Sequence, residues 1–150
     1  MERKRAGAEG FHRVKPHTAD VLLEAGGGTL PLLFRHAAAG LCGIIGFPGR
    51  RGARRRIEVA LREQDLPLLL ARWLNEIIYL VSTGKIIPRG FSVTGISENA
   101  EGAELAAVIT GVLPRAGAPG PEREVKAASL HGLKLERGKG LFSARVLLDL

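Results

Sequence analysis

Two stretches of this chain open with the same helix signature. Thr29-Leu30-Pro31 and Asp65-Leu66-Pro67 each set a side-chain oxygen where the orphan amides of a first turn need an acceptor. Each then places a proline inside that turn, where its missing N–H is no loss. Behind Thr29, the residues Leu30, Leu33, Phe34, Ala37, Leu41 and Ile44 recur at helical spacing up to the glycines between positions 43 and 46. Behind Asp65, the residues Leu66, Leu69, Leu70, Trp73, Leu74, Ile77, Ile78 and Val81 form a broad apolar stripe that Gly84 stops. A chain with two helices and many short apolar runs must close its core with sheet.

Strands are expected at Phe11–Lys15 and Val21–Ala25, the second closed by Gly26-Gly27-Gly28 as a tight turn. That glycine run has neither a Gly-Lys-Ser/Thr ending nor the G-x-G-x-x-G spacing of a phosphate loop. Between the helices, Ile57, Val59 and Leu61 alternate with Arg56, Glu58 and Arg62, the mark of a strand with one buried face. After Gly84, extended segments are expected at Ile86–Ile87, Phe91–Ile96, Leu105–Leu113, Glu124–Leu130, Leu133–Glu136 and Leu141–Leu150, with a flexible loop over Pro114–Pro121. The order β-α-β-α followed by a run of β predicts an α+β fold, with two helices packed on a largely antiparallel sheet. The 150 residues suit one domain, expected over 11–150 behind a flexible tail at 1–10. With aromatics at 5%, its core must be built from Leu, Ile, Val and Ala.

The lone cysteine, Cys42, excludes an internal disulfide framework and every Cys-cluster metal site, and a reducing, cytoplasmic setting is expected. The basic start, Met1 to Arg5, is not followed by an apolar stretch, so no signal peptide is expected. No apolar run approaches the ~20 residues of a membrane helix, and a soluble chain with no membrane partner follows. The formal net charge is +7, with five arginines (Arg50, Arg51, Arg54, Arg55 and Arg56) within seven residues. Such a field attracts nucleic acid, acidic proteins or anionic surfaces without choosing between them.

No Ser-His-Asp or Cys-His arrangement can be assembled, and Cys42 reads as an inert thiol in a helix. His17 and His131 sit at turns beside strands. Asp20 abuts Val21-Leu22-Leu23, and Asp149 follows Val146-Leu147-Leu148. An acid among apolar strand residues must be paired, hydrogen-bonded or exposed at an edge. Asp20, Asp149 and the carboxylate of Leu150, if brought together, would form a hard-oxygen site for Ca²⁺, Mg²⁺ or Mn²⁺.

Six strings occur in order: His17-Thr18-Ala19-Asp20; Thr29-Leu30; Trp73-Leu74-Asn75-Glu76, followed by Ile77-Ile78-Tyr79-Leu80; Glu124-Val125-Lys126-Ala127; His131-Gly132-Leu133; and Arg145-Val146-Leu147-Leu148-Asp149-Leu150. In order and spacing the series resembles the archease family from Val14 to Leu150. It departs from that pattern at Leu130, where a tyrosine is common, at Arg72, where an acid is common, and in its basic charge. The resemblance implies a non-catalytic cofactor of an RtcB-type RNA ligase, which joins tRNA halves after intron removal. Such a cofactor promotes guanylylation of the ligase by GTP and its multiple turnover. It implies a divalent-metal site, seen as calcium in family structures, at Asp20 and Asp149 completed by Leu150. Lys126, His17 and His131 fall on motif positions that support the site or contact the partner, and RNA would be met through the ligase. The rival expectation is a basic RNA-binding module working through Arg54, Arg55 and Arg56, or a chaperone-like adaptor for RNA-processing enzymes.

Overall fold

The computed structural model describes residues 10–16, 20–48 and 51–150. The tail expected at 1–10 lies outside them apart from Gly10, as do His17 and Arg50. Ten elements follow in order: β1 (Phe11–Pro16), β2 (Asp20–Gly27), α1 (Leu30–Ile45), β3 (Arg54–Glu63), α2 (Leu66–Ser82), β4 (Ile87–Asn99), β5 (Gly102–Val112), β6 (Ala127–Ala128), β7 (Lys134–Gly138) and β8 (Leu141–Asp149).

Both helices start where their caps dictate. The Thr29 hydroxyl accepts from the Leu32 N–H at 3.3 Å, and the Asp65 carboxylate accepts from the Leu68 N–H at 2.9 Å. Their buried stripes face one core. At its centre Trp73 is fully buried, edge-on to Phe91 at 5.9 Å between ring centroids. Its indole N–H donates to the Phe34 carbonyl of α1 at 3.0 Å, so the one polar atom of the ring is satisfied.

The strands form two antiparallel sheets rather than the one expected. Five strands run β1-β2-β8-β6, with β7 also pairing β8; three run β3-β5-β4. The larger sheet is built from the two ends of the chain and the smaller from its middle. On the larger, Val21, Leu23 and Ala25 of β2 lie opposite Leu148, Val146 and Ala144 of β8, and this face packs into the core. On the smaller, Val59, Leu61, Ala103, Leu105, Ala107 and Ile109 do the same.

Three local expectations need correction. Gly26 and Gly27 finish β2 instead of turning, because close neighbours require glycine there. A Cβ on Gly26 would meet the Phe11 ring at 2.5 Å, and one on Gly27 would meet the Leu33 backbone nitrogen at 2.5 Å. The segments expected at Ile86–Ile87 and Phe91–Ile96 are one strand through Pro88. Its register shifts between Pro88 and Gly90, and β4 is an edge strand, where a missing N–H is tolerated. The strand expected over Glu124–Leu130 is reduced to Ala127–Ala128.

The glycines also yield a stability test. Gly27→Ala is expected to cost about 2 kcal/mol or more, since the intruding methyl meets backbone that cannot step aside. Gly43→Ala, on the exposed surface of α1 with nothing within 4 Å of the new methyl, should instead gain about 0.5–1 kcal/mol. Urea denaturation of the two variants measures both signs.

Candidate functional site

The register of β2 against β8 places Asp20 directly opposite Asp149. Side chains alternate along a strand, and Val21 and Leu148 face the core, so both aspartates project from the outer face of the sheet. Residues so paired have Cβ atoms roughly 5 Å apart. Asp20 is half-buried and Asp149 exposed. Two like charges in this position repel each other.

On its other side Asp149 faces Ala127 of β6. There the Lys126 N–H donates to the Asp149 carbonyl at 2.7 Å, while the Lys126 side chain is exposed. Asp149 therefore lies between Asp20 and the Lys126–Ala127 segment, on the middle one of three neighbouring strands. His131 follows in the turn before β7, with its backbone N–H donating to the Ser129 hydroxyl at 3.0 Å. Among the described residues no hydrogen bond or ion pair links its exposed ring to either aspartate. Leu130 beside it is one of the few large apolar side chains left exposed, at 62%.

Asn75 of α2 is a site residue whose role sequence reasoning missed. Its side-chain amide donates to the Ala128 carbonyl at 3.1 Å and its Oδ1 accepts from the Ala128 N–H at 2.8 Å. The amide thus mimics a neighbouring strand along the open edge of β6, holding that short strand against β8 beside Asp149. The available signal is a lone amide beside the apolar stripe of α2. Together Trp73 and Asn75 tie one helix both to α1 and to the strand flanking the carboxylates.

Elsewhere on the outer face, Arg13 pairs with the largely buried Glu24 at 3.0 Å. Among the described residues, no three side chains of His, Cys, Asp or Glu gather as a metal cluster. Burial pushes the Cys42 thiol up to about 12, which leaves it neutral and a poor nucleophile at physiological pH, in accord with the inert reading. No helix of the described residues is long and apolar enough to cross a membrane.

Two antiparallel sheets closed over two helices, with facing carboxylates where β2 meets the last strand, β8, define a small α+β protein. The profile of the Archease protein family (MTH1598/TM1083) matches residues 12–150, and the chain belongs to that family. Protein archease of Methanosarcina acetivorans is 32% identical over 134 residues, covering 89% of this chain and 92% of its own length. That of Archaeoglobus fulgidus is 29% identical, covering 93% and 98%. The solution structure of Methanobacterium thermoautotrophicum protein 1598 superposes with a TM-score of 0.73 at 28% identity, over 93% of this chain and 98% of that one. An archease from Thermotoga maritima, described as a possible chaperone, has the same fold at 21% identity and a TM-score of 0.54, with the same coverage.

Proposed function

We propose that this protein is a non-catalytic activator of an RtcB-type RNA ligase in tRNA splicing and RNA repair, promoting guanylylation of the ligase by GTP and its multiple turnover in the cytoplasm. Membership of the archease family over nearly the whole chain supports this reading, and the observation that carries it is the face-to-face register of Asp20 and Asp149. In this reading the two aspartates, with Leu150 as a third oxygen donor, hold a divalent metal. The fit is chemical: an all-oxygen donor set suits Ca²⁺, Mg²⁺ or Mn²⁺ and not a soft metal. Two like-charged side chains in direct opposition are what a cation would reconcile. When bound, the metal supplies positive charge at the seam of the chain ends and a hard Lewis-acid centre for partner oxygens.

The protein's own groups do the rest. Backbone pairing of Lys126 with Asp149 fixes the segment from which the Lys126 ammonium reaches solvent, as a point charge for a phosphate or an acidic ligase residue. Exposed Leu130 and His131 lie on the connection between β6 and β7 and extend the contact surface, with His17 as the supporting residue of the Asp20 motif. The RNA ends that are joined are held by the ligase.

The test is ligation of RNA bearing a cyclic phosphate end by the cognate ligase, with the enzyme limiting and GTP and metal present. Many turnovers are expected only when this protein is added. A ligase whose turnover number is unchanged by the protein would overturn the reading.

A further inference from the structure

Arginines are concentrated at one end of the three-stranded sheet. Register places Arg54, Arg55 and Arg56 of β3 opposite Val112, Gly111 and Thr110 of β5, and these opposite Ile87, Pro88 and Gly90 of β4. One end of the three-stranded sheet is therefore made of residues 51–56, 85–90 and 110–115. These segments contain Arg51, Arg54, Arg55, Arg56, Lys85, Arg89 and Arg115 and no acidic residue. Removing those seven from the 22 Lys and Arg leaves 15, equal to the 15 Asp and Glu. The seven equal the formal net charge in number; of the acids, Glu58 lies beside Arg56 and Glu122 lines a cavity with Arg89.

The patch is both available and rigid. Arg51, Arg54, Arg55 and Arg56 are exposed, and Arg51, Arg54 and Arg55 make no ion pair among the described residues. Arg56 touches Glu58 at 3.1 Å, but both side chains are more than half exposed, so that pair is readily exchanged for a stronger anion. The backbone beneath is held by the ladder to β5, extended by the Leu113 N–H donating to the Ala53 carbonyl at 2.8 Å. Arginines two apart on a strand, Arg54 and Arg56, stand roughly 6.6 Å apart on one face of it. Spaced cations on a fixed flat edge match a phosphate backbone better than a single anion. The three segments contain no aromatic residue, and Phe47 and Phe91 beside them are partly buried, so unpaired bases find no fully exposed ring to stack on.

We propose that the basic end of the three-stranded sheet binds the phosphate backbone of base-paired RNA. The choice of RNA over DNA rests on the ligase-activator reading; the polyanion chemistry rests on the charge distribution alone. This surface belongs to the smaller sheet, whereas Asp20 and Asp149 lie on the larger. The protein can therefore hold an RNA by one sheet while its other engages a partner.

The experiment is fluorescence anisotropy of a labelled RNA hairpin titrated with the isolated full-length protein, from about 50 to 200 mM salt. Binding should weaken steeply with salt. Arg54→Ala combined with Arg56→Ala, which removes the two arginines on one face of β3, should lower the slope of log K against log salt by about 2 and weaken binding roughly tenfold or more. Lys134→Ala combined with Lys139→Ala removes the same charge from the larger sheet and should change affinity less than about twofold. Absence of binding at the lowest salt, or equal losses in the two double variants, would overturn the proposal. So would displacement by polyglutamate as effective as by unlabelled RNA, which would make acidic protein the occupant. Equal affinity for a DNA duplex of the same sequence would refute RNA as the target. No ligase is present, so failure here is distinct from failure to activate.

Discussion

Without metal, the Asp149→Asn protein is expected to melt above the parent, and with calcium below it. Asp149 faces Asp20 across β2 and β8, and removing one of two opposed charges relieves a repulsion of about 0.2–1 kcal/mol. At this chain length that raises the melting temperature by about 1–3 °C. A cation held by the native pair reverses the order, since a ligand at a hundred times its dissociation constant stabilises the folded parent by about 2.7 kcal/mol. Asp20→Asn should behave alike, and both variants should lose ligase activation while remaining folded. Melting curves with calcium or with chelator, beside the turnover assay, read all of this. A parent whose melting point ignores calcium removes the metal from the account. Full activation by both variants removes the carboxylates.

Trp73→Ala should have the largest effect on stability, a loss of about 3–5 kcal/mol for a fully buried tryptophan whose site cannot collapse. The lost indole donor at the Phe34 carbonyl adds to it. Asn75→Ala should cost less, about 1–3 kcal/mol, because two hydrogen bonds to Ala128 disappear at the edge of β6. Asn75→Asp separates hydrogen bonding from shape: it keeps an acceptor for the Ala128 N–H but aims a carboxylate at the Ala128 carbonyl. It should therefore be at least as costly as alanine. Denaturant titration of the three variants settles the order, and an Asn75→Asp protein as stable as the parent would mean that the amide is no clamp. Weakened activation in Asn75→Ala at temperatures where it stays folded would show that the flank of Asp149 matters to function.

The helices were legible because their signals are local. Thr29 and Asp65 cap as their side chains allow, and both helices end within a residue or two of the glycine stops. The antiparallel α+β class followed from the order of elements. The division into two sheets was not legible, because partner choice between strands a hundred residues apart leaves no trace in alternation. Glycines 26 and 27 misled for a related reason: a glycine needed for a distant close approach looks like one needed for a turn. At the site, Asp20 and Asp149 stood out as acids beside apolar strands, but their meeting depended on long-range register. The clamping role of Asn75, though the residue stands in one of the motif strings, was not legible because a helix-borne amide reads as surface until the strand edge it serves is known.

The larger sheet also dictates a schedule. Strand β2 ends at Gly27 and its partner β8 begins only at Leu141, more than a hundred residues later. At roughly 5–20 residues per second, a ribosome leaves β2 waiting on the order of ten seconds. Throughout that interval Val21, Leu22, Leu23 and Ala25 belong to a strand with one edge unclaimed, the condition under which nascent chains find wrong partners. The middle of the chain, with both helices and the smaller sheet, can organise meanwhile and shelter one face of β2. Strand β8 thus joins the sheet and delivers Asp149 to Asp20 in a single event, so a newly made molecule acquires its carboxylate pair only after β8 has been made.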